Sequence, residues 1–104
     1  MTESLKIKER HREDIESIIR QHLPGVEVWA YGSRINGESH EGSDLDLVLR
    51  TKDLSPVDYD DFLALKESLT ESSIPFLVEV RDWARLPESF HSEIKKEYVV
   101  FIER

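Results

Sequence analysis

From Val26 to Tyr31 and from Asp44 to Arg50 the pattern is that of strands, with successive side chains on opposite faces, and in stretches on either side the apolar positions fall three and four apart. From about Leu5 to Leu23, Ile15, Ile18, Ile19, His22 and Leu23 recur at helical spacing with Glu, Lys and Arg between them, and Pro24-Gly25 stops the pattern. Val26 to Tyr31 then predicts a strand with Val26, Val28 and Ala30 on one face and Glu27, Trp29 and Tyr31 on the other. Its near-continuous apolar character implies cover on both sides. A second strand is predicted over Asp44 to Arg50, joined to the first by a polar loop from Gly32 to Ser43.

A polar linker, Thr51 to Pro56, leads to a second amphipathic helix over about Val57 to Glu71, with Tyr59, Phe62, Leu63, Leu65, Lys66 and Leu69 as its stripe. Pro75 disfavours helix at Ile74, and Phe76 to Arg81 reads as a third strand with Leu77, Glu79 and Arg81 on one face. Asp82 falls on the other face, where it is expected to cap a turn at Trp83-Ala84. Pro87 and Glu88 suit the start of a short helix anchored by Phe90 and Ile94. Tyr98 to Ile102 is either an edge strand or a contact surface. The expected fold is therefore α/β (α+β), a small mixed sheet with helices packed on one face, forming one domain over residues 1–104.

Charge and composition narrow the partners. A formal charge of −8 is a poor match for nucleic acid, whose binding rests on cationic side chains, so a basic protein partner fits better than direct nucleic-acid contact. It also means that a triphosphate would have to arrive with its metal. No apolar run approaches the roughly 20 residues of a membrane span. The N-terminus has no signal-peptide core, and cysteine is absent, so a cytoplasmic location is expected, with no membrane association. Whether the chain forms homo- or hetero-oligomers stays open.

The chemistry is concentrated between Tyr31 and Leu49. Asp44 and Asp46 share one strand face while Leu45, Leu47 and Leu49 take the other. Two carboxylates that close repel unless a cation lies between them, and oxygen-only ligands suit Mg²⁺. Upstream, Gly32 ends a strand where a missing Cβ allows a sharp turn and close approach of an anion. If a short helix begins at Ser33, its free N–H groups face that anion, and Ser33 and Arg34 add a hydroxyl and a charged fork. A phosphate cradle beside a carboxylate pair describes a site for a metal-bound nucleoside triphosphate.

Gly32-Ser33 followed by Asp44-x-Asp46 resembles the signature of the DNA polymerase beta-type nucleotidyltransferase superfamily, and the whole chain is similar to its smallest members, the minimal nucleotidyltransferases. In those proteins a third carboxylate lies in a segment like V-D-x-x-D-W. Here the segment reads Val78-Glu79-Val80-Arg81-Asp82-Trp83, with Glu79 where the family has aspartate.

The resemblance implies a polymerase beta-like fold and Mg²⁺-dependent transfer of AMP from ATP to a hydroxyl. Two ions would be held by Asp44, Asp46 and Glu79, with Gly32, Ser33, Arg34 and Ser43 on the nucleotide. It implies as partner a helical HEPN-type toxin, modified on a tyrosine, with this chain as antitoxin of a type VII-like pair. The alternatives are an antitoxin that keeps the fold but neutralises its partner by contact alone, or a subunit of a small-molecule nucleotidyltransferase. His11, His22, His40 and His91 lack ligand spacing, and Trp29 and Trp83 are expected in the core.

Overall fold

The computed structural model describes residues 7–32 and 44–103. Helix α1 (Glu9–His22) starts later than the periodicity suggests, after an extended Lys8. Glu9 in its first turn and Arg20 and His22 in its last complement the helix dipole. It buries Ile15 and Ile19 completely, and the chain then turns through Gly25 at φ +88° into strand β1 (Glu27–Tyr31). Strand β2 (Leu45–Arg50) begins one residue after the expected Asp44, which precedes it as an exposed residue.

Helix α2 (Tyr59–Thr70) starts at an Asp58 cap whose side chain accepts from the Asp61 N–H at 3.0 Å. Only part of the expected stripe is buried. Leu65 and Leu69 reach the core and Phe62 packs against it, but Tyr59 and Leu63 are 54% and 45% exposed. They lie beyond the arc that α1 and the sheet can cover, so the apolar face of α2 is narrower than its sequence. Strand β3 (Val78–Asp82) is followed by a 3-10 turn (Trp83–Arg85), helix α3 (Glu88–Lys96) and strand β4 (Val99–Ile102).

The sheet order is β3-β2-β1-β4. β1 is antiparallel to both β2 and β4, whereas β2 and β3 run parallel, so the sheet is mixed. Of the two readings of the C-terminal apolar segment, β4 is the edge strand. Direct register partners share a face, so Val28, Ala30, Leu45, Leu47, Leu49 and Val80 make one apolar surface. The two long helices pack on each other over that surface, joined also by a 2.8 Å hydrogen bond between His22 Nε2 and Ser68 Oγ.

α3 lies differently. Its Phe90 ring meets Tyr31 edge-on at 5.9 Å, so this short helix covers part of the opposite face. Trp29 and Trp83 are core residues on that same side, packed edge-to-face at 5.5 Å with the Arg50 guanidinium over both rings. Among the described residues no helix is long and apolar enough to cross a membrane.

Candidate active site

Three adjacent strands put Tyr31, Asp46 and Glu79 in one row across the sheet. Tyr31 is opposite Asp46 in the antiparallel pair, and Asp46 is beside Glu79 in the parallel one. The row exists because β2 alternates: the leucines take the buried face, and the acid between them is left on the other. Gly32 ends β1 at φ +89°, in the left-handed region. A Cβ there would lie 2.5 Å from Asp46 Oδ2, so the bend lies against the carboxylate and any side chain at this position would have to push it aside. Asp44 lies two residues upstream of Asp46, exposed to solvent.

Arg81 completes the cluster, two residues beyond Glu79 on the same face. Its Nη1 donates to the Tyr31 hydroxyl at 3.1 Å and lies 3.6 Å from Asp46 Oδ1. Burial pushes the Asp46 carboxyl above its ordinary value, and Asp44 and Glu79 push it the same way, against the pull of Arg81. Burial likewise raises the Tyr31 phenol, again opposed by Arg81.

Asp82 is not part of the row. It sits on the helix side at 4% exposure, where its carboxylate accepts from the Val57 N–H at 3.1 Å, the Ala84 N–H at 3.3 Å and Arg85 Nε at 2.9 Å. It caps the turn after β3 and ties the linker before α2 to it.

Among the described residues no three His, Cys, Asp or Glu side chains are gathered closely enough to form a ready-made metal site. The donors nevertheless suit a hard divalent cation. Asp46 and Glu79 are neighbours on one face, Asp44 is near enough to raise the Asp46 pKa, all three offer oxygen alone, and burial leaves Asp46 short of positive charge. Ser33, Arg34, Ser43 and His40, with the rest of the loop between Gly32 and Asp44, lie outside the described residues.

Beside Gly32 a cleft of about 340 Å³ opens between β1 and α3, lined by Tyr31, Gly32, Phe90, Ile94, Glu93, Lys96 and Glu97. Sequence reasoning placed Tyr31, Arg81 and Phe90 on their elements but gave none of them a part in the site. The signal for Arg81 was its two-residue spacing from Glu79. The meeting of Tyr31 and Phe90 depends on how α3 docks, which no local pattern encodes.

Comparison with known proteins gives a consistent picture. The family model described as "Polymerase beta, Nucleotidyltransferase" matches residues 13–104. A Haemophilus influenzae protein named "Probable protein adenylyltransferase MntA" is 38% identical over 100 residues, covering 96% of this chain and 86% of that protein. Among solved structures, a toxin-antitoxin with AMP-PNP superposes with a TM-score of 0.73 at 17% identity, covering 89% of this chain and 73% of that one. A mutant of the toxin-antitoxin MntA-HpeT gives 0.71 at 15% identity with the same coverage. At those identities the two structures speak for the fold alone.

Proposed function

Because this chain belongs to the polymerase beta nucleotidyltransferase family, we propose that it transfers AMP from ATP to a hydroxyl group on a toxin protein, a tyrosine of a HEPN-type helical partner, and so acts as its antitoxin. The observation that carries this reading is the contact between the Gly32 bend and Asp46, with Glu79 next to Asp46 across the sheet. A bend without a side chain lets Asp46 come up against the backbone, and the neighbouring acids suit the metal that accompanies a triphosphate. The protein partner is supported by the name of the Haemophilus relative, an adenylyltransferase of protein, and by the toxin-antitoxin nature of the two structures of like fold.

In this mechanism the β- and γ-phosphates rest against the backbone at Gly32, aided by Ser33, Arg34 and Ser43. Asp44, Asp46 and Glu79 are the residues that would hold two Mg²⁺ ions, which would offset the charge of the triphosphate. The acceptor oxygen forms a bond to the α-phosphorus, the bond from that phosphorus to the bridging oxygen breaks, and pyrophosphate leaves. The hydroxyl proton passes to Glu79. Most of the work is the placing of oxygens, since little covalent chemistry falls to the protein.

The test is the intact mass of the partner after incubation with this chain, ATP and Mg²⁺. Addition of one or more AMP groups supports the proposal, and an unchanged mass under every metal condition rejects it. Neutralisation by contact alone is favoured by one feature, the longer Glu79 in place of the family aspartate. It would be the correct reading if Asp44→Asn/Asp46→Asn neutralised the partner as well as the parent chain does.

A further inference from the structure

Arg81 makes three contacts on the acid-bearing face, and they differ in kind. Its Nη1 donates a hydrogen bond to Tyr31 at 3.1 Å, its guanidinium lies 5.6 Å from the Phe90 ring centroid, and Nη1 approaches Asp46 Oδ1 only to 3.6 Å. The last is an ion pair without a short hydrogen bond, between side chains that are 37% and 27% exposed, and such pairs are weak. Tyr31 is 8% exposed and is fixed by the central strand β1, so two of the three contacts survive if the guanidinium leaves Asp46. Glu79, on the same strand face, adds a second negative charge that holds the cation nearby.

We infer that Arg81 is a built-in counter-ion for Asp46 that competes with the divalent cation, so that metal loading displaces its guanidinium toward Tyr31 and Phe90. The inference rests on the nucleotidyltransferase reading, because it needs a cation to be taken up at Asp46. Without metal the single guanidinium offsets part of the negative charge of Asp46 and Glu79, and Arg81 sets the threshold at which metal is accepted. Arg81 is thus a positioning residue for cation uptake. The weakness of the 3.6 Å pair is what makes it displaceable; a bidentate pair would hold the site shut.

The experiment is titration of Mn²⁺ alone into nucleotide-free protein, with free Mn²⁺ read by electron paramagnetic resonance and melting of the metal-free protein recorded in parallel. Removing a unit charge next to the cation site is expected to make Arg81→Gln bind Mn²⁺ roughly tenfold more tightly. Arg81→Lys, which keeps the charge, should return affinity most of the way to the parent value. A purely structural Arg81 would shift melting and leave affinity equal or weaker, and that result overturns the inference.

Should Arg81→Gln fail to fold, the Arg81 side-chain nitrogen resonance of the parent protein serves instead. Movement on addition of Mg²⁺ supports displacement, and a fixed resonance while metal binds overturns it. Equal Mn²⁺ affinity in parent and variant removes the Arg81 inference alone. No divalent binding by either protein, with or without ATP, removes the nucleotidyltransferase reading beneath it.

Discussion

Gly32→Ala separates backbone strain from damage to the site, because Gly25→Ala supplies the matched control. Both glycines have nearly the same positive φ, +89° and +88°. An L-residue in that region costs about 1–2 kcal/mol, and at about 4–8 °C per kcal/mol for a chain of this size both variants should melt lower by several degrees. The surroundings differ. A Cβ at position 25 meets nothing within 4 Å, whereas at position 32 it falls 2.5 Å from Asp46 Oδ2 and 3.3 Å from its Cγ.

Ordinary contact starts near 3.4 Å, so the Asp46 carboxylate must retreat by roughly 1 Å, a displacement that can cost on the order of a hundredfold in rate. Gly32→Ala should therefore lose about two orders of magnitude in kcat/KM for AMP transfer, while Gly25→Ala keeps its activity at temperatures where it is folded. The assay is transfer of label from α-labelled ATP to the partner, with melting curves on the same preparations. Full activity in Gly32→Ala, or equal losses in the two variants, would refute the argument from contact.

Three further outcomes follow from the same geometry. The Asp46 carboxyl is raised above 3.8 chiefly by burial, so from that value up to its own pKa the folded state holds a proton that the unfolded chain releases, and stability falls as pH rises through the interval. Asp46→Asn removes this, so in metal-free urea titrations the variant should gain on the parent as pH goes from acid to neutral; a difference that shrinks would contradict the assignment. Asp82→Ala strips a buried acceptor from Val57 and Arg85 and should cost about 2–4 kcal/mol by chemical denaturation, with little effect on the turnover of the molecules that remain folded. Glu79→Gln should do the reverse, leaving stability within about 0.5 kcal/mol and lowering transfer by roughly a hundredfold or more.

The parts legible in the sequence were those governed by local rules. Alternation alone put Leu45, Leu47 and Leu49 on one face of β2 and Asp46 on the other, and period two assigned Glu79 and Asp82 to opposite faces of β3. Asp82 as a turn cap was legible for the same reason, since its partner Ala84 is two residues away. What escaped was set by packing between distant segments. Tyr59 and Leu63 carry the helical period but face solvent, because the width of the buried arc depends on where α1 docks. Arg81 reaches Tyr31 across 50 positions of sequence, and α3 folds over the acid-bearing face through Phe90. The placing of Asp46 and Glu79 on one face follows from strand alternation; the approach of Arg81 to Tyr31 and Asp46 follows from the tertiary fold.

The proposed reaction moves the α-phosphoryl group of ATP, as AMP, to a hydroxyl of a protein partner, using the acids beside Gly32. The most direct measurement compares the fate of label in α- and γ-labelled ATP when parent protein or Asp46→Asn is mixed with Mg²⁺ and the partner. Label from the α position alone should reach the partner, with pyrophosphate released, and Asp46→Asn should abolish it. Label arriving from the γ position, or undiminished transfer by Asp46→Asn, would contradict the account.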